Sequence, residues 1–265
     1  MKQQPVVVRG KVRLNDFDPR FDGGADKEKT KEKTSKIGDR IGELQQLLYA
    51  NSTHSALLIF QGMDASGKDG SVRSVLQSVN ASGIEAANFK VPSDEERAHD
   101  FLWRVHKVVP RYGNLGVFNR SHYEAVLVER VQAIVPKSVW SKRYEQIVNF
   151  EKMLCENNVV LLKFYLHISK KEQAERFQER LSNPKKYWKF SQADLTTRQH
   201  WSDYIDAYED MLNKTSHAHA PWHIIPADRN WYRDYVIGKT VVEALEGLKM
   251  KWPKPKEDLS KINFK

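Results

Sequence analysis

Ile59-Phe60-Gln61-Gly62-Met63-Asp64-Ala65-Ser66-Gly67-Lys68-Asp69-Gly70 is an apolar run that stops in a glycine-bracketed loop. Ala56 to Phe60 has the unbroken apolar character of a strand buried on both faces, and Val72 to Val79 has helical spacing. Between strand and helix, Gly62, Gly67 and Lys68 fit the spacing G-x-x-x-x-G-K. In that pattern backbone N–H groups and a helix N-terminus surround a phosphate and the lysine neutralises it. A surface turn with a solvated lysine carries the same short motif, but the flanking strand and helix favour the phosphate. The place after the lysine, where a Ser or Thr hydroxyl would ligate magnesium, holds Asp69. Asp64 lies inside a loop built for anions, which predicts a magnesium-bridged phosphate, because a cation must stand between the two negative groups.

The chain has 265 residues, of which 40% are hydrophobic, enough for one large α/β domain with a substantial core. Its single cysteine, Cys155, excludes an intramolecular disulfide framework and suits a reducing cytosol. No apolar leader opens the sequence and no run of 18 apolar residues occurs, so a soluble, cytoplasmic protein is expected, with no membrane partner. A net charge of +9 predicts an anionic partner. The usual nucleic-acid signatures are missing, so nucleic acid is not the expected one.

Residues 1–24 read as an irregular segment wrapping a neighbouring surface, outside the core, and Lys27 to Tyr49 as a docking helix with an apolar stripe at Ile37, Ile41, Leu44, Leu47 and Leu48. These make an N-terminal extension over 1–50, before a kinase-like domain over 51–250 and a tail over 251–265. Ile84 to Val91 is a second expected strand. Ser93 and Glu96 form a capping box for a helix that runs through Phe101, Leu102, Trp103 and Val105 to Pro110. Leu115 to Phe118 is a third strand, leaving through Asn119 and Arg120 into a helix that reaches about Val135. Arg120 and Glu124, four apart, then share a helical face, while Glu129 points elsewhere into a salt bridge.

Val139 to Asn157 is expected as a helix with Ile147, Phe150, Met153 and Leu154 facing inward, followed by a central strand from Val159 to Ile168. Ser169 and Glu172 cap the helix Lys170 to Leu181. Arg176, Arg180, Lys185, Lys186 and Lys189 place five cations within 176–189, beside Tyr187 and Trp188, and this pattern suits a mobile lid over phosphates at about 170–192. One helix from Asp194 to Leu212, a fifth strand at Trp222 to Pro226, and a last helix opened by Asp228-Arg229 complete the domain. Five strands alternating with helices predict a parallel sheet covered on both faces, with ligands at the strand C-termini.

The loop Gly62 to Gly70, the segment Phe118-Asn119-Arg120-Ser121-His122-Tyr123-Glu124, the cations Arg176, Arg180 and Lys189 beside Trp188, and the segments Ala220-Pro221-Trp222 and Asp228-Arg229 together resemble the second family of polyphosphate kinases over roughly residues 30 to 250. The resemblance implies a three-layer, thymidylate-kinase-like phosphate-loop fold that moves phosphoryl groups between inorganic polyphosphate and nucleotides with magnesium or manganese, in dimers or tetramers. Asn119 and Glu124 depart from branches with Asp at the strand end and Asn in the helix. They are closest to the class III branch, which uses AMP and ADP as acceptors and forms ADP and ATP.

On this resemblance the catalytic residues are Asp64, Lys68, Arg120, Glu124 and Arg180, with Asp64 and Glu124 as metal ligands and Glu129 as the alternative to Glu124. Polyphosphate falls to Gly62, Ala65, Ser66, Gly67, Lys68, Asp69, Gly70, Arg73, Arg176, Lys185, Lys186 and Lys189. The nucleotide falls to Asn119, Arg120, Tyr123, Arg229 and Arg233. Two other readings compete, an ATP-dependent nucleotide kinase and a non-catalytic nucleotide or nucleic-acid module. Asp69 and the excess of cations count against the first, and an acid pair converging with arginines counts against the second.

Overall fold

A computed structural model describes residues 6–255, 257–259 and 262. Residues of the strand Ser55–Gln61 (β2) are all buried, as its apolar run requires. It lies inside a six-stranded sheet with the order β1-β6-β5-β2-β4-β3, where β1 is Val6–Val7, β3 Ile84–Asn88, β4 Leu115–Asn119, β5 Val159–His167 and β6 Trp222–Pro226. These five strands run parallel, as expected. Helices cover both faces because a parallel strand returns through a crossover. The long α1 (Lys27–Asn51) and the last helix α10 (Asn230–Gly247) pack together and on α2 (Lys68–Val75). On the opposite face α5 (Val128–Val131), α6 (Lys137–Glu156) and α9 (Trp201–Thr215) pack on one another. The chain winds from β2 towards β4 and β3 on one side and then towards β5 and β6 on the other. The end of β2 is therefore a topological switch point, where crevices open in such sheets.

The expectation that residues 1–24 stay outside the core is corrected. Val6–Val7 (β1) pairs antiparallel with β6, and Leu14 is fully buried. The segment also wraps as expected, with the Val12 N–H donating to Asn213 and the Leu14 N–H to Glu209. Residues 1–5 of it lie outside the described residues, as do 256, 260–261 and 263–265 of the expected tail.

Three expected helices are shorter or broken. The Ser93 capping box is present, but its helix α3 stops at Asp94–Arg97 and a separate turn, α4, covers Trp103–His106. The helix after β4 is replaced by a 3₁₀ turn over His122–Ala125 and then α5. The span 194–212 is divided at His200 between α8 (Gln192–Gln199) and α9. Met153 of α6 is 39% exposed, and the inner position is held by Glu151 instead. Among the described residues no helix is long and apolar enough to cross a membrane.

Candidate active site

The loop between β2 and α2 is held from every side. A Cβ on Gly62 would lie 2.8 Å from the Leu166 carbonyl, and Gly67 is left-handed (φ +97°) with its open side filled by the Arg233 guanidinium, so both positions require glycine. Helix α2 starts at Lys68, and the N–H groups of its first turn have no upstream carbonyl to bond, leaving them for an anion. The Lys68 ammonium curls over the loop and donates to Gly62 O (2.6 Å) and Met63 O (3.2 Å). Burial lowers its pKa and the Arg120 charge lowers it further, against Asp64 and Glu124.

Arg233 carries an unexpected role. It is 2% exposed and donates to Asn230 Oδ1 (2.6 Å), to Asp234 (2.8 Å) and to the Ser66 carbonyl (3.3 Å). It braces the phosphate loop from behind, at the edge of the crevice. Arg176 is committed in the same way. Its Nε meets Glu172 at 2.8 Å, and its terminal nitrogens donate to the carbonyls of Ala65, Ala227 and Asp228, tying the loop to the end of β6.

Arg120 opens the second half of the site. Its φ of +60° shows that no helix has begun there, so the helical face expected for Arg120 and Glu124 does not exist. The guanidinium still meets both acids, at 2.8 Å from Asp64 and 3.7 Å from Glu124. The Glu124 charge foremost keeps Arg120 protonated, whereas burial raises the Glu124 pKa against the opposing charges of Arg120 and Lys68. Asn119 donates to Asp69 Oδ1 at 2.6 Å, so the residue in the Ser/Thr place clasps the end of β4. Glu129 pairs with Arg143 at 2.6 Å, away from the crevice.

Tyr123 requires a correction. It is fully buried and its hydroxyl is shared between Glu151 Oε1 (2.7 Å) and Lys163 Nζ (3.0 Å), so it presents nothing to a nucleotide. Its neighbour His122 also turns inward, 3.3 Å from the same Glu151.

A cavity of about 730 Å³ lies over the loop, lined by Asp64, Ala65, Lys68, Arg120, Arg180 and Lys189 among others. Asp69, Gly67, Gly70, Asn119, Arg176, Lys186 and Arg233 also reach it. Gly62 and Ser66 form the buried floor behind the loop. The turn Pro184–Lys189 closes one side; there Arg180 pairs with Asp194 at 2.9 Å, Lys186 with Glu179, and Lys189 lies 4.0 Å from Asp69. Arg73 and Lys185 are exposed and outside the cavity lining. Arg229 pairs with Asp22 and lines a separate cleft beside α1, so the nucleotide contact expected of it is not in this crevice.

The opposite wall, Asn88 to Val91, was missed by sequence reasoning, although a strand ending just before Pro92 was its signal; Val91 is 86% exposed there. Asp194 was also missed, because it was read only as the first residue of one helix reaching Leu212.

Among the described residues no three His, Cys, Asp or Glu side chains gather into a metal cage. Magnesium bound with phosphate needs only one or two carboxylates, the rest coming from phosphate oxygens and water. Asp64 and Glu124, both within reach of one guanidinium, fit that requirement.

Over 266 aligned residues the chain is 48% identical to the AMP/ADP-polyphosphate phosphotransferase of Meiothermus ruber, with 99% of each chain covered. It is 47% identical over 227 residues to the ADP-polyphosphate phosphotransferase of Rhodopseudomonas palustris, covering 81% of this chain and 78% of that one. The crystal structure of polyphosphate kinase 2 from Arthrobacter aurescens TC1 superposes with a TM-score of 0.94 at 39% identity, over 97% of this chain and 93% of that chain. The family described as Polyphosphate kinase 2 (PPK2) matches residues 24–253, and with the loop, the crevice and almost the whole length in agreement, the chain belongs to the polyphosphate kinase 2 family.

Proposed function

We propose that the crevice transfers phosphoryl groups from inorganic polyphosphate to AMP and to ADP, forming ADP and ATP reversibly. The observation that carries this reading is Arg120, held between Asp64 and Glu124 above the Lys68 loop at the mouth of a cation-lined cavity. The relative from Meiothermus ruber, 48% identical along the full chain and named for both acceptors, supports it.

An acceptor phosphate oxygen attacks the terminal phosphorus of the chain. The bond to the bridging oxygen breaks, and the shortened polyphosphate keeps the electron pair. A phosphate monoester has its second pKa near about 6, so the attacking oxygen is already anionic at neutral pH and no general base is required. What remains for the protein is positioning and charge neutralisation. Lys68 leaves the carbonyls of Gly62 and Met63 for the donor phosphate, the α2 N-terminus holds the same group, and Arg120 spans donor and acceptor. Asp64 and Glu124 would hold magnesium, which supplies charge neutralisation for the phosphate oxygens. Arg180, Lys186 and Lys189 exchange their acidic partners for phosphate when polyphosphate enters. Arg176 and Arg233 act by bracing the loop. We place the enzyme in the cytoplasm, as the dimer or tetramer that its family implies.

The test is direct. Purified protein with magnesium and AMP should form ADP and ATP from long-chain polyphosphate. Formation of ADP with ATP as the only competent donor would replace this reading with an ordinary nucleotide kinase.

A further inference from the structure

Asp228 follows β6 by two residues, is half-buried, and lines the separate cleft beside α1, so no step of the phosphoryl transfer uses it. Every polar group it has is nonetheless engaged. Its N–H donates to the Pro19 carbonyl at 3.0 Å, and its own carbonyl accepts from an Arg176 terminal nitrogen at 2.9 Å. Its carboxylate takes both donors of Ser169, the N–H on Oδ1 and the hydroxyl on Oδ2, each at 2.8 Å. An aspartate that only closed a turn would bond its own near neighbours. This one joins three distant segments of the chain.

Ser169 is the N-cap of the helix α7, Lys170–Ser182. Its hydroxyl has a single proton. Given to Asp228, that proton leaves the oxygen's lone pairs for the Glu172 N–H, accepted at 3.1 Å, so the carboxylate orients the cap as well as holding it. From that end α7 runs along the crevice, with Glu172, Arg176, Glu179 and Arg180 spaced along one face and lining the cavity. Gln173 and Arg176, in the first two turns, are pinned to the phosphate loop through the carbonyls of Asp64 (2.9 Å) and Ala65 (2.8 Å). Arg180 stands one turn beyond them, and its partners, Asp194 at 2.9 Å and the Lys189 carbonyl at 3.1 Å, belong to the segment past the helix. At a rise of about 1.5 Å per residue, Arg180 is about 16 Å from the cap, and a tilt of about 10° there carries it about 3 Å. A shift of about 1 Å already matters to a charge that must meet a reacting group.

We propose that Asp228 is a positioning residue of the transfer: by holding the cap of α7 and, through its carbonyl, Arg176, it fixes the angle of the helix and so the place of the Arg180 guanidinium in the cavity. This rests on the reading that Arg180 neutralises phosphate charge in this crevice. Asp228 itself touches no substrate.

The test compares wild type, Asp228→Ala, Asp228→Asn, Ser169→Ala, Arg180→Ala and the double variant Asp228→Ala/Arg180→Ala. For each, kcat and the KM for AMP are measured with polyphosphate as donor, below that variant's own Tm. Asp228→Ala is expected to lower kcat by about tenfold, as a displaced charge contact does, with the KM for AMP unchanged. The double variant should be no slower than Arg180→Ala alone, because a group that acts through Arg180 then has nothing left to place. Asp228→Asn keeps both contacts, its amide oxygen accepting the Ser169 N–H and its amide nitrogen donating to the hydroxyl, and should turn over close to wild type. Ser169→Ala cuts the same link from the helix side and should share the loss of kcat, which keeps the idea falsifiable should Asp228→Ala not fold. Full kcat in Asp228→Ala and Ser169→Ala would overturn the proposal. So would an Asp228→Asn variant as slow as Asp228→Ala, or losses that multiply in the double variant, the mark of a residue that serves the fold independently of Arg180. A wild type that transfers from ATP but not from polyphosphate would instead overturn the donor assignment, and the same comparison would then be read with ATP.

Discussion

Two acid–cation clusters hang from the same five residues after β4. Arg120 lines the crevice with Glu124 3.7 Å from its guanidinium, while His122 and Tyr123 turn into the core, where Glu151 meets Lys163 at 2.6 Å. In the core every charge is saturated: the Lys163 ammonium donates to Tyr123 Oη, Glu151 Oε2 and the Thr215 carbonyl, and neither charged side chain exceeds 1% exposure. In the crevice one guanidinium, 41% exposed, serves two carboxylates at unequal distances. Saturated charges hold structure, and charges with unspent valence are left for a ligand. Similar residue types do both jobs within one turn of chain, so burial and partner count separate the roles where residue identity does not.

The sharpest way to break this contrast is in the core. Lys163→Met strips the buried Glu151 carboxylate of its ammonium partner, leaving it the Tyr123 hydroxyl and His122, and should lower the unfolding free energy by about 3–5 kcal/mol in denaturant titration. Glu151→Leu/Lys163→Met should regain most of it. A small loss in the single variant would mean that the buried pair is no structural anchor. The pH dependence has a definite sign. Burial alone would raise the Glu151 pKa, but the charge of Lys163, helped by His122, prevails and holds it below the ordinary carboxylate value. Its stabilisation is therefore present above the unfolded-state pKa and is lost as pH falls through the lower, folded one. The double variant should show a flatter acid limb.

In the crevice the expected effects fall on rate and spare stability. Lys68→Ala and Asp64→Ala should each reduce polyphosphate-dependent transfer by more than about 100-fold, the scale of one preorganised contact to developing charge, with little change in Tm. Retained turnover in either would remove the loop from the chemistry. Glu124→Asn keeps size and hydrogen bonding but not charge, and should depress AMP phosphorylation about tenfold more than ADP phosphorylation. A parallel fall in both would make Glu124 a general magnesium residue.

The smallest effects belong to the turn at 184–189. Lys185→Ala should raise the KM for long polyphosphate only a few-fold and make its dependence on salt shallower, by about 0.7 in logarithmic slope for each phosphate of a single-stranded polyanion that is no longer neutralised. The KM for AMP should not change.

The phosphate loop was legible because its strand, glycines and helix are contiguous, and each follows from local rules applied to Ala56 to Val79. The parallel sheet was legible for the same reason, from the apolar run of β2 and the mostly β-branched and aromatic runs of β5 and β6. What could not be read was direction. Tyr123 and Glu124 are neighbours, and only the left-handed Arg120 and the 3₁₀ turn decide that one joins the core cluster and the other stays beside the Arg120 guanidinium. Arg176 and Arg233 look like phosphate ligands by type, yet beyond their local acid and amide partners they reach carbonyls separated from them by 51 to 167 residues. Periodicity carries no trace of such long-range pairings.

The antiparallel strand β1 also bears on how the chain behaves as a material. Val6 and Val7 cover the outer rim of β6, and the Val8 N–H closes the ladder on the Trp222 carbonyl at 2.8 Å. Without that strip, β6 would present a row of unsatisfied amides along a strand that is otherwise buried throughout, the template on which sheets of separate molecules fuse. Trimming the first dozen residues would leave the catalytic groups untouched in sequence and yet turn a well-behaved enzyme into an aggregating one.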